Sequence, residues 1–174
     1  MLNALRRNAQ KTRIVDALHA ALNVRARLAV FFREYGVADT IDGRFDMLAL
    51  HAWMVLSRLR SAGRADLADD LTGALFAAFD TALRDLGTGD MGMGPRIKKL
   101  GNALNGRVHA YEAAFADEEV FADAIVRNVY RGEAGHEAAA KSLAQYAREA
   151  RAYLERCDLT GGAVDFGPAP TGMA

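Results

Sequence analysis

The stretch FFREYGVADTIDGRFDMLALHAWMVLSRLR, Phe31 to Arg60, places two apolar, helix-forming segments on either side of a short run crowded with polar groups. Gly36, Asp39, Thr40, Asp42, Gly43, Arg44 and Asp46 fall within eleven residues. A corner that only reversed the chain would need far less, and recognition groups concentrate on loops held by a rigid scaffold. Beyond the corner, Phe45, Leu48, Ala52, Leu56 and Leu59 share one helical face, while Met47, Leu50, Trp53, Met54 and Val55 carry apolarity around the rest of the circumference. A helix apolar on nearly all sides belongs at the centre of a domain. Asp42 or Thr40 can cap its start, Arg58 and Arg60 suit the negative end of its dipole, and Gly63 can stop it.

Working outward, the same periodicity recurs. Ile14, Leu18, Leu22, Leu28 and Phe32 predict a helix over 12–34 that Gly36 ends. A third helix runs from near Asp66 to Gly87 through Leu67, Leu71, Leu75, Ala78 and Leu86. The glycine-rich connection from Gly87 to Pro95 lacks the lysine and hydroxyl residue of a phosphate-binding Walker loop. Pro95 can instead open a helix to about Phe115, striped by Ile97, Leu100, Leu104, Val108 and Tyr111. Asp117 caps a helix to about 131, and a last one spans roughly 137–157. The expectation is an all-α fold of about six helices in a compact, mainly antiparallel domain over 12–157. Residues 1–11 are expected as a basic N-terminal tail, and 158–174 as a flexible or loosely docked C-terminal one.

The chain has 174 residues, enough for one domain that buries roughly 70% of its extended-chain surface. Its 22 basic and 22 acidic side chains cancel, which argues against a generic nucleic-acid binder. The charges are nonetheless blocked. Residues 1–35 hold seven basic against two acidic groups, 64–90 six acidic against two basic, and 94–111 turns basic again with Arg96, Lys98, Lys99 and Arg107. Ordinary pairing within the fold is the preferred account of these blocks. One cysteine, Cys157, excludes an intrachain disulfide framework and is read as a bystander thiol on the last helix. No apolar run reaches the roughly 20 residues that a bilayer requires, and the basic start lacks the apolar core of a secretory signal. A cytoplasmic location is expected, with peripheral contact at an anionic membrane face as an option for Arg6, Arg7, Lys11 and Arg13.

The residues carry no recognisable catalytic set. His19, His51, His109 and His136 are scattered, and the single ExxH spacing of Glu133 and His136 falls short of a dimetal bundle. His51 and Met54 read as core before axial haem ligands, so no metal and no cofactor is expected. Asp46 can pair with Arg44 or with a neighbouring helix, and Arg44 either organises the corner or receives a partner carboxylate. A binding or scaffold domain is therefore favoured over an enzyme. Tyr35, Val37 and Phe45 would supply an apolar fringe, with a second charge patch at Arg96, Lys98 and Lys99 facing Asp85 or Asp90, and Met91 and Met93 beside it.

Three linked segments, FFREYGVADTIDGRFDMLALHAWMVLSRLR, LRDLGTGDMGMGPRIKKL (83–100) and NGRVHAYEAAF (105–115), resemble the ubiquinol-cytochrome c chaperone family over most of residues 14–154. The family corner commonly reads GVPDTxDGRF; here Ala38 replaces its proline and leaves the approach to Asp39 less rigid. The resemblance implies a non-enzymatic assembly factor for the cytochrome bc1 complex whose client is newly made cytochrome b. It also implies a second small assembly factor as partner and peripheral contact with a membrane or ribosome. Carried over as partner-binding or domain-organising positions are Tyr35, Asp39, Thr40, Asp42, Arg44, Phe45, Asp90, Arg96, Lys98 and Lys99.

Overall fold

The computed structural model describes residues 2–85 and 90–171. Among them are seven α-helices, α1 Leu2–Ala26, α2 Ala29–Arg33, α3 Ile41–Ser61, α4 Ala65–Asp85, α5 Asp90–Ala114, α6 Glu118–Val129 and α7 Glu137–Glu155, with a 3₁₀ turn at Leu159–Gly161 and no strand. The six long helices pack mostly antiparallel around α3, which touches α1, α4, α5, α6 and α7. That position follows from its composition: Met47, Leu50, Trp53, Met54 and Leu59 are completely buried, on every side of the helix. The expected all-α bundle with this segment at its centre is the observed one.

Capping fixes most of the boundaries. The Thr40 side chain accepts from the Gly43 amide at 3.1 Å, so Thr40 and not Asp42 caps α3. Asp117 does the same for α6, its Oδ1 accepting from the amides of Glu119 and Val120 at 2.9 and 3.0 Å. α6 stops at Val129 because Arg131 and Gly132 both turn left-handed, at φ 58° and 74°. Cys157 lies two residues beyond the end of α7 and is partly buried.

Three boundaries depart from expectation. α1 begins at Leu2, so the basic tail is the first turns of a helix, and Lys11 reaches Asp70 on α4 at 2.7 Å. That contact is the charge pairing within the fold that the sequence blocks suggested. The helix expected over 12–34 is split at Leu28, whose ψ of 130° breaks the α conformation without glycine or proline. The break redirects α2 so that Phe31 inserts, with no exposure, among the rings of Tyr35, His51 and Tyr146. α5 starts five residues before Pro95, leaving the proline inside the helix.

The segment after Leu159 turns back along the bundle. Leu159 and Phe166 are buried, and Arg25 Nη1 donates to the Gly167 carbonyl at 3.1 Å while Nη2 donates to those of Phe166 and Pro168. Beneath this segment a buried hydrogen-bond chain runs from Arg25 Nε to Tyr146 Oη at 2.9 Å, and from the Tyr146 hydroxyl to His51 Nε2 at 2.7 Å. His51 Nδ1 then donates to the Met47 carbonyl at 2.8 Å. A carbonyl only accepts, so Nδ1 carries the proton and Nε2 is the acceptor. Burial pushes the His51 pKa down to about 4, keeping the imidazole neutral. His51 is thus a satisfied core histidine.

Candidate functional site: a clamped polar corner beside an apolar groove

Gly36, at φ 66°, ends the α2 turn, and the chain crosses to α3 under tight constraint. The Ala38 carbonyl passes so close to Gly43 that a Cβ there would sit 1.9 Å from the oxygen. Glycine in the DGRF tetrapeptide is therefore demanded by the approach of backbone to backbone, and the step needs no proline at 38. On the outer side of the corner, Arg44 Nε donates to Asp39 Oδ1 at 2.7 Å with both side chains more than half exposed. The Arg44 hydrogen bond holds the Asp39 carboxyl below the usual range.

On the inner side lies a buried charge. Asp42 and Asp46 stand one helical turn apart, and Asp46 is fully buried within α3. Its Oδ1 accepts from Arg107 Nη2 of α5 at 2.6 Å, and its Oδ2 from Arg131 Nη2 at 3.4 Å. Arg131 also lies 3.3 Å from Asp42. Burial raises the Asp46 pKa against the pull of Arg107. Asp46 therefore takes partners from other elements, not Arg44, and these tie α3, α5 and the α6–α7 loop into one unit. Arg131 reaches its position as the one non-glycine residue with positive φ among those described. The same loop grips the corner's start: the Tyr130 hydroxyl donates to the Tyr35 carbonyl at 2.8 Å, and the Tyr130 ring stacks on His136 at 4.6 Å. Glu133 is 3.9 Å from His136, at the start of α7, which accounts for the ExxH spacing.

Next to the corner is a groove of about 420 Å³ where α1, α3, α4 and α5 meet, floored by Phe45, Leu48, Phe79 and Leu100. Arg27, Asp42, Arg44 and Asp85 rim it with charges of both signs. Ile41, on its edge, is 70% exposed, a large apolar side chain held in water at the mouth of an apolar trough. Phe45 is half-buried, 5.5 Å from the Phe79 ring and 5.1 Å beneath the Arg107 guanidinium.

Asp39, Thr40, Asp42, Arg44 and Phe45 are thus brought together at the corner. Tyr35 and Val37 are not a fringe: both are core residues, 6% and 2% exposed, and the Tyr35 hydroxyl donates to the Thr171 carbonyl at 3.2 Å. The exposed apolar edge belongs to Ile41. Arg96, Lys98 and Lys99 lie on exposed positions of α5, and among the described residues no ion pair joins Lys98 or Lys99 to the corner. The side chains of Asp90, Met91 and Met93 and the whole of Gly87 fall outside the described residues. Arg107, Arg131, Phe79 and Leu100 complete the site and were not assigned to it from sequence. The spacing of Asp42 and Asp46 on one helical face was the available signal for a shared basic partner. Among the described residues no group of three or more metal-ligating side chains converges.

The class of fold is an all-α bundle of six long helices, one of them central, with a polar corner beside an apolar trough. The profile of the family described as ubiquinol-cytochrome C chaperone matches residues 33–161, and the chain belongs to that family. A crystal structure of the Cbp3 homolog from Brucella abortus superposes with a TM-score of 0.84 at 30% identity, covering 97% of this chain and 98% of that one. No curated protein sequence matches.

Proposed function

We propose that this member of the chaperone family acts without catalysis on cytochrome b, shielding the newly made protein during assembly of the cytochrome bc1 complex. The observation that carries this reading is the groove beside the corner: an apolar trough about 420 Å³ in volume, with exposed Ile41 at its lip and charges of both signs around it. An unassembled membrane protein presents apolar helices that have no partners yet. A surface that offers apolar contact with a polar rim can cover such a helix, and the rim sets orientation more than strength. Release follows when native helix contacts replace the groove. No helix among the described residues is long and apolar enough to cross a membrane. In this reading the client is met from the membrane's edge, as a peripheral contact at the cytoplasmic face.

Crosslinking in native membranes followed by immunoprecipitation tests the assignment. Recovery of nascent or unassembled cytochrome b, with selective failure of bc1 assembly on deletion, is the expected result. Stable recovery of another soluble protein, with bc1 assembly intact, would make the chain a general scaffold.

A further inference from the structure

On the face of the bundle formed by the end of α3, the middle of α5 and α7 lies a second cavity, of about 550 Å³, in which polar and charged side chains surround a largely apolar surface that includes Val108. Arg60, Arg151, His109, Ser57, Asn105 and Glu112 line it. Two arginines against one glutamate leave a net charge of at least one positive with His109 neutral.

The donors are only partly used. The Arg151 side chain is 12% exposed and lies over Phe115 at 4.5 Å and Trp53 at 5.1 Å, and among the described residues its ion-pair partner is Glu112, at 3.8 Å. That carboxylate oxygen also accepts from Trp53 Nε1 at 2.7 Å. Burial outweighs the pull of Glu112 and Glu155 and lowers the Arg151 pKa. Ser57 is 8% exposed; its oxygen accepts from Arg151 Nη1 at 3.0 Å, which leaves its proton free to donate. Among the described residues Arg60 and His109 enter no ion pair.

We propose that this cavity binds a phosphate-bearing ligand. A tetrahedral oxyanion uses more donors than a planar carboxylate, and guanidinium forks, a hydroxyl and an amide supply them. The volume exceeds that of inorganic phosphate and admits an esterified group. Glu112 and Glu155 are the opposing charges, and the bonded Glu112 forms the wall on the Trp53 side. Both a free phosphate ester and an anionic lipid headgroup present this chemistry.

The chain has a single tryptophan, Trp53, joined through Glu112 to the cavity, so its emission reports occupancy. Inorganic phosphate is titrated into the full chain at constant ionic strength, with calorimetry in parallel. A saturable response is expected, and Arg60→Gln, at an exposed position, is expected to weaken it by about tenfold or more with an unchanged unfolding midpoint. Silence in both measurements overturns the proposal, as does an unchanged affinity in folded Arg60→Gln and His109→Gln variants. Competition by phosphatidylglycerol vesicles, absent with phosphatidylcholine alone, assigns the source to a lipid headgroup; phosphate binding that such vesicles leave untouched assigns it to a free ester.

Discussion

Asp46 and Asp39 show how differently two carboxylates in one short segment are used. Asp46 has 1% side-chain exposure and holds Arg107 and Arg131, whereas the Asp39–Arg44 pair is open to solvent. Removing one partner of a buried pair strands the other, at a cost of about 3–5 kcal/mol, while exposed pairs contribute little. Asp46→Ala should therefore lower the urea midpoint strongly and Asp39→Ala should leave it unchanged; equal effects would mean that the corner is not organised around Asp46. His51 sets a second residue-scale expectation. Its pKa falls from 6.5 to about 4 on folding, so the unfolded chain takes up the proton first as pH drops. Stability from this group is complete above pH 6.5 and is lost as pH falls towards 4, by about 3 kcal/mol at most. An NMR titration placing the His51 imidazole near 6.5 would contradict it.

At the scale of elements, the corner works because local capping and distant clamping agree. Thr40 starts α3, and Thr40→Ala should cost about 1 kcal/mol in thermal or urea unfolding. Restoration by Thr40→Ser would identify the lost cap as the cause, whereas full stability in the alanine variant would remove it. The boundaries of α3 and the start of α6 were legible because Thr40, Gly63 and Asp117 act within a few residues of themselves. The break at Leu28 was not, since no local residue demands it; Phe31 is drawn into a cluster of rings supplied by α3 and α7. The early start of α5 was hidden by Pro95, which reads as a first-turn residue in isolation.

In the molecule as a whole, the bundle, its central helix and the polar corner could be inferred from one short stretch, and the linked segments pointed to the family. The site's other half lay beyond that stretch. Arg107 and Arg131 are 61 and 85 residues from Asp46, and the groove needs side chains from four helices at once. Its polar rim was therefore visible as sequence, while its apolar floor emerged only with the packing. The functional account rests on that floor: Phe45, Leu48, Phe79 and Leu100, with Ile41 at the lip, form the surface that would cover an unassembled helix. A photo-crosslinking residue placed at exposed Ile41 tests this most directly, with one at exposed Glu133 on the α6–α7 loop as control. Irradiation of native membranes should join cytochrome b to position 41 and not to 133. Absence of cytochrome b at 41, or equal capture at both positions, would contradict the account.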